Sequence, residues 1–157
     1  MEITKDLRDD VQFAIVEAGA LGTIGAFSTA IDVASIAGVW GFLLYKYIRY
    51  YGYDMEKEDT VKICTTALLG LGGYYTGCKM ATKLFHLIPG AGTLMAMGIS
   101  SFANVIFTYR FALTLTRIFQ DSKVNLKNLA KSIIIMFAGT LNGVKNVIDI
   151  VALFREN

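Results

Sequence analysis

The chain has 157 residues, a length that predicts one domain with a core of its own. Hydrophobic residues make up 54% and charged residues 18%, against about 45–50% and about 25% in typical soluble domains, and the mean hydropathy is +0.49. The formal net charge of +2 is too small for a domain built to neutralise phosphates, which excludes nucleic acid from the expected partners.

Five helical segments are predicted, so the expected fold class is all-α, a helical bundle in a single domain over residues 1–157. The first segment covers residues 3–25. Its apolar side chains recur at helical spacing on one face and its acids gather on the opposite face, near the positive end of the helix dipole. The acidic N-terminus lacks the basic region that opens a cleavable signal peptide, so none is expected.

The second predicted helix covers residues 29–51 and contains a charge-free run, residues 33–45, shorter than the roughly 20 residues that span a bilayer. Glycines before it, the last being Gly25, predict a helical hairpin or kink. Gly52 is the predicted C-cap. Tyrosines mixed with cations at this end are typical of membrane interfaces, the alternative being tyrosines that cover the core. The predicted interface residues are Tyr45, Tyr47, Arg49 and Tyr50.

The third predicted helix runs from residue 59 or 60 to residue 87 and is rich in glycine. Each glycine costs about 0.8–1 kcal/mol in a helix relative to alanine. Close approach of a neighbouring helix would offset that cost. Gly70, Gly73 and Gly77 are therefore predicted to be helix-packing and assembly residues.

The fourth predicted helix covers residues 93–119, after a Pro-Gly turn, and has two uncharged faces. One face is apolar. The other carries hydroxyl and amide groups that bond across helix interfaces in membranes, so Ser100 and Asn104 are predicted packing and assembly residues. Asp32 and Arg110 each interrupt a long uncharged run, where a charge needs a partner or water. These two are candidates for a buried charge pair, or for the lining of a polar cavity.

The fifth predicted helix follows a short polar turn and reaches residue 154. With the first helix it gives two flanking amphipathic segments, residues 3–25 and 124–154. Cations in its first turns oppose the helix dipole and need a partner. Lys123, Lys127 and Lys131 are predicted to meet anionic lipid headgroups at the membrane interface, the acidic first helix being the alternative partner.

The chain offers little for chemistry, so no catalytic, cofactor-binding or metal-binding residue is predicted and an enzyme is not expected. His86 lies between apolar residues, without a second ligand at metal spacing. Asp6, Asp9 and Asp10 are interpreted as a solvated acidic N-terminus rather than a cation site. Residues 89–93 lack the lysine and the preceding strand of a phosphate loop, which indicates an interhelical turn.

The two cysteines, Cys64 and Cys78, fall in the same predicted helix. At about 1.5 Å per residue their backbones would lie about 21 Å apart, beyond the reach of a disulfide. Both are expected to be free buried thiols, as in a reducing cytosol or a membrane interior.

Three consecutive segments resemble a bacterial helical domain of unknown function: the helix ending IRYYGYDMEKED, the glycine-rich helix, and the segment opening LIPGAGTLMAMG. That domain often follows an Era-like or dynamin-like GTPase domain, or occurs in inner-membrane proteins of the YcjF type. A fainter resemblance is to the helical part of immunity-related GTPases. The resemblance covers residues 31–120, and its clearest residues are Ile88, Pro89, Gly90 and Gly92. Because no nucleotide-binding domain accompanies it here, it implies membrane association and helix-mediated assembly but not nucleotide hydrolysis.

The pattern as a whole favours a membrane-associated, self-assembling helical protein of the bacterial cytoplasmic membrane, one that remodels membranes or forms pores. Membrane lipids and further copies of the chain are the expected partners. The alternative is a soluble helical adaptor that binds a GTPase or another protein in trans. A third interpretation is a lipid-binding protein with a cavity between the third and fourth helices.

Overall fold

The computed structural model describes residues 3–25, 28–72, 92–121, 124–138 and 143–155. The described residues form six α-helices and one short 3₁₀-helix, without a strand among them, which confirms the predicted all-α bundle. In chain order these are α1 (Lys5–Gly25), α2 (Thr29–Tyr50), α3 (Lys57–Gly70), α4 (Gly92–Gln120), the 3₁₀-helix (Leu126–Asn128), α5 (Leu129–Ala138) and α6 (Gly143–Arg155).

The first two helices form the predicted helical hairpin. Helix α1 ends at Gly25, and α2 begins after Ser28, whose side chain accepts a hydrogen bond from the backbone N–H of Ile31 at 3.4 Å. Serine at this position satisfies one of the N–H groups that have no partner within the helix. The helices are antiparallel, because the Phe13 ring of α1 meets the Phe42 ring of α2 in an edge contact with centroids 5.7 Å apart.

A left-handed residue ends α2, as the sequence predicts. Gly52 has a φ of 78°, a conformation that glycine adopts at no steric cost. The backbone N–H of Tyr53 then bonds the carbonyl of Ile48 at 2.9 Å, which satisfies an acceptor at the helix end. The chain reverses here, so α3 runs antiparallel to α2.

The longest helix, α4, packs against both members of the hairpin. It runs antiparallel to α1 and parallel to α2, whose Trp40 lies against Phe111 with ring centroids 4.2 Å apart and planes 6° apart. This stack lies at the centre of one hydrophobic core. Buried members of that core come from six helices, for example Leu7, Trp40, Leu68, Leu115, Ile133 and Leu153.

The predicted third and fifth helices differ from the described ones. Helix α3 is described to Gly70, and residues 73–91, with Gly73, Gly77, Cys78, His86 and the Pro-Gly turn, lie outside the described residues. The predicted fifth helix is described as the 3₁₀-helix, α5 and α6, and residues 139–142 between α5 and α6 lie outside the described residues.

Candidate membrane-contacting surface

The charged side chains concentrate at one end of the bundle, which we call the polar pole. Here the ends of α1, α2 and α3 carry exposed or partly exposed ion pairs. The pairs are Lys46 with Asp10 at 3.0 Å, Arg49 with Asp54 at 2.8 Å, and Lys62 with Asp59 at 2.8 Å. Exposed pairs of this kind add little to stability, so they mark a solvated surface.

The opposite end of the bundle exposes large apolar side chains, and we call it the apolar pole. Its members come from four helices and are Ile24, Ile31, Leu69, Leu94, Met95 and Phe102. Leu94 is 73% exposed and Phe102 is 56% exposed, values usual for charged residues rather than for leucine and phenylalanine. Exposed apolar side chains from several elements at one end are typical of a place where a protein meets another protein or a membrane.

At the apolar pole, α4 exposes apolar side chains and buries polar ones, an arrangement that we call the inversion of α4. Leu94, Met95 and Phe102 face outward, whereas Ser100 and Asn104 are fully buried. The amide of Asn104 donates a hydrogen bond to the carboxylate of Asp32 on α2 at 3.0 Å. Helices surrounded by lipid commonly bury their polar side chains and expose their apolar ones. Their polar side chains then form hydrogen bonds with neighbouring helices.

Buried polar groups continue along α4 towards the polar pole. The indole N–H of Trp40 donates to the hydroxyl of Thr108 at 3.1 Å. About two turns further along both helices, the hydroxyls of Tyr47 and Thr116 lie 2.9 Å apart. The hydroxyl and amide side chains of α4 therefore pack within the chain, mainly against α2.

The two candidate buried charges are both buried, as expected, but their described partners differ. Asp32 accepts from Asn104, as described above. Arg110 donates to the backbone carbonyl of Phe137 on α5 at 3.0 Å, and its guanidinium lies 4.8 Å from the centre of the Phe137 ring. Through these contacts Arg110 connects α4 with α5, and Asp32 connects α2 with α4.

The predicted interface residues at the end of α2 have separate environments. Tyr47 is fully buried, so its prediction as an interface residue is wrong: its ring faces α4, where the hydroxyl finds Thr116. Arg49 and Tyr50 are exposed, and the Tyr50 hydroxyl donates to Asp6 at 3.3 Å. Tyr45 is half-buried under the ammonium group of Lys57, 5.4 Å from the ring centre.

The predicted basic residues of the fifth segment are described in part. Lys127 and Lys131 are exposed near the start of α5, which follows the polar end of α4. Lys123 lies outside the described residues. These side chains add positive charge beside the polar pole.

Among the described glycines, three lie at the closest helix contacts, and one of the three, Gly70, is a predicted packing residue. A β-carbon at Gly70 would collide with the side chain of Ile134 on α5, so its predicted packing role agrees with the described contact. The sequence analysis did not identify Gly22 or Gly41 as packing residues. A β-carbon at Gly22 would lie 2.6 Å from the Ser101 Cα, and one at Gly41 would lie 3.0 Å from the Val61 Cα.

A shallow groove of about 600 Å³ separates α2 and α3 near the apolar pole. Small side chains of α2 line one wall and Val61, Thr65 and Leu69 line the other. The surface of this groove is almost wholly apolar, and it continues the apolar pole along the side of the bundle.

Two observations concern possible chemistry among the described residues. Among them, no three potential metal ligands come together. Burial raises the pKa of the Cys64 thiol, which keeps that thiol protonated and unreactive at neutral pH.

One described helix, Ala30–Tyr50, is long and apolar enough to cross a membrane by length and composition, with a mean hydropathy of 1.3. Half of its most apolar window is buried inside the bundle, as in the core helix of a soluble protein. This helix is therefore weak evidence for a membrane span.

Comparisons with protein-family models, with curated proteins and with solved structures find no match. The resemblance to the bacterial helical domain stays a prediction, and the geometry of the two poles carries the functional argument.

Proposed function

We propose that this chain is a membrane-associated helical protein whose apolar pole contacts the hydrocarbon of a lipid bilayer. The inversion of α4 is the observation that carries the proposal. In water, exposing Leu94 and Phe102 is unfavourable, because large apolar side chains stay in contact with solvent. In lipid, the same arrangement does not carry that cost.

Fractionation of the untagged protein tests this proposal. Membranes are pelleted, washed in alkaline carbonate and then extracted with detergent. We expect the protein to stay in the pellet until detergent is added, because apolar contact with lipid resists high pH. Release by carbonate, or recovery as a discrete soluble species, would refute the membrane assignment.

Self-assembly in the membrane is part of the same proposal. Ser100 and Asn104 are occupied within the chain, so a different surface must join the copies. Ala30, Ala34 and Gly38 form an exposed strip of small residues along α2, and a β-carbon at Gly38 would meet nothing within 4 Å. Small residues spaced by four allow helices to approach closely in lipid.

The assembly surface is tested with Gly38→Leu, and Gly98→Leu on the exposed side of α4 serves as the control. We expect native mass analysis in detergent to give a smaller species for the first variant only. Equal masses for both variants and the parent protein would exclude this strip. Leakage of a dye from vesicles then separates pore formation from remodelling without release of contents.

A soluble adaptor is the second candidate, and the groove between α2 and α3 favours it. Its length follows α2, and its apolar walls suit a helix supplied by a GTPase or another protein. This function would require a monodisperse protein without detergent. It would also require Leu69→Glu, in the groove wall, to abolish partner binding while leaving the fold intact.

A further inference from the structure

We propose that the apolar pole enters one leaflet of the bilayer, and that the described helix ends with exposed charged side chains all stay on the same side of the membrane. This topology rests on the proposed membrane association and adds to it which residues enter the lipid and how deeply. The occupant of the apolar surface is thus the acyl-chain region of the nearer leaflet.

Charged helix ends meet at one pole because of how the helices run. The Tyr50 hydroxyl at the end of α2 bonds Asp6 at the start of α1. Lys57 at the start of α3 lies over the ring of Tyr45, and Thr116 near the end of α4 bonds Tyr47. These contacts place four helix ends at the same level.

The other ends of α1 and α2 and the start of α4 meet at the opposite pole, where the one charge in a described first turn, Asp32, is buried. There α1 crosses α4 at Gly22 and Ser101, while Asp32 of α2 bonds Asn104. Two short connections differ in the same way. Residues 26–28, between α1 and α2, are Ala-Phe-Ser, whereas residues 51–56, between α2 and α3, include Asp54 and Glu56.

An aromatic pair marks the boundary between the two zones. Phe13 and Phe42 touch in an edge contact on the exposed seam of α1 and α2. One turn towards the polar pole, Lys46 bridges to Asp10, and its ammonium group also lies 5.3 Å from the centre of the Phe42 ring. Charge therefore begins directly above the pair, as expected where headgroups meet acyl chains.

The depth of the apolar zone matches one leaflet. From Phe13 to Ile24 along α1, and from Ile31 to Phe42 along α2, the helix rise is about 16 Å at 1.5 Å per residue. The hydrocarbon core of a whole bilayer is about 30 Å thick, so one leaflet supplies about 15 Å. A protein spanning both leaflets would need charged ends at both poles, and the described residues of the apolar pole include no charged side chain on the exposed faces of α1, α2 and α4.

One exposed acid, Glu17, lies inside the apolar zone of α1. It is one turn below Phe13, at a depth of about 6 Å. Side chains on a helix tilt towards its N-terminus, which for α1 is the polar pole. Glu17 can thus extend its carboxylate to the headgroups while its backbone stays at the upper edge of the acyl chains.

The test uses single-cysteine variants carrying a fluorescent probe in a Cys64→Ala, Cys78→Ala background. Positions 24 and 94 sample the apolar pole and position 54 samples the polar pole, as Ile24→Cys, Leu94→Cys and Asp54→Cys. Each protein is added to preformed equimolar phosphatidylcholine and phosphatidylglycerol vesicles. Three quenchers are compared: bromine on the acyl chains, iodide outside the vesicles and iodide trapped inside them. Circular dichroism checks that each variant keeps its helices.

We expect the probes at positions 24 and 94 to lose most of their fluorescence to brominated chains, and the probe at position 54 to lose it to external iodide. Trapped iodide should quench none of the three. Quenching of position 24 or 94 by trapped iodide would show that the chain spans both leaflets, which overturns this topology but keeps membrane association. Bound protein without bromine quenching would also overturn it. Absence of vesicle binding would instead refute the proposed function itself.

Discussion

The two poles of this bundle differ in what they expose and in what holds their helices together. At the polar pole the surface carries Lys46 with Asp10 and Arg49 with Asp54, and the packing beneath is aromatic, with Tyr51 stacked on Phe119. At the apolar pole the surface is apolar and the contacts beneath are polar and close. The comparison teaches that one bundle can present a charged surface at one end and an apolar surface at the other.

Placing charged side chains at the apolar pole should remove the difference between the two poles and have the largest effect on membrane binding. We expect Leu94→Glu with Met95→Glu to weaken binding to phosphatidylcholine and phosphatidylglycerol vesicles by at least about 100-fold, because one charge deep in a bilayer costs about 2.5–3.5 kcal/mol. Vesicle flotation measures the effect. Gln120→Glu, the same kind of change at the exposed polar end of α4, should bind like the parent.

Forcing α1 away from α4 should destabilise the apolar pole. Gly22→Leu introduces a side chain where a β-carbon alone would lie 2.6 Å from the Ser101 Cα. We expect the free energy of unfolding to fall by about 3 kcal/mol, the upper part of the range for overpacking. Denaturant unfolding followed by circular dichroism measures it.

The matched control for that variant is Gly98→Leu, because a β-carbon at Gly98 meets nothing within 4 Å. It should gain up to about 0.8 kcal/mol from the better helix propensity of leucine. Similar losses at both positions would contradict the close crossing of α1 and α4.

Reversing the positive charge beside the polar pole tests whether this end of the bundle meets anionic headgroups. Lys127→Glu with Lys131→Glu should weaken binding to anionic vesicles at least about 30-fold, since each of the two cations near such a surface contributes about 1 kcal/mol. Binding to vesicles of phosphatidylcholine alone should not change. An equal loss on both kinds of vesicle would mean that these lysines act through the fold rather than through headgroups.

The smallest expected effect concerns the buried polar line between α2 and α4. Thr108→Val removes the acceptor for the Trp40 N–H and should cost about 1–2 kcal/mol of unfolding free energy, because the donor stays buried. Thr93→Val, on the exposed first turn of α4, should change it by less than about 0.5 kcal/mol. Equal effects would indicate that the hydrogen bond contributes nothing.

Local patterns in the sequence predict the helices well, but not which residues face a neighbouring helix. Helical spacing and capping residues identify α1, α2 and α4, including Gly52 after α2. Tyr47 and Tyr50 are both tyrosines near the end of the same helix, yet one is buried against α4 and the other meets solvent. That difference depends on where a segment distant in the sequence packs, which composition and spacing do not contain.

For the candidate surface, too, the sequence predicts the type of contact but not the partner. Uncharged hydroxyl and amide groups on α4 predict helix packing, and Asn104 is indeed buried against α2. Whether that packing joins two copies or two helices of one chain depends on the fold, and the described contacts are within the chain. Gly22 and Gly41 went unrecognised as packing residues because small residues are frequent in such helices, and only the crossing of two backbones distinguishes them.

The stack of Trp40 on Phe111 has a practical consequence for following this protein in lipid. Trp40 is the single tryptophan of the chain, so all indole emission comes from the contact between α2 and α4. If those helices separate when the bundle meets a membrane, the emission maximum will shift as the ring changes surroundings. If the bundle binds intact, the emission wavelength will stay constant. The emission of Trp40 therefore distinguishes an opened bundle from an intact one without any added label.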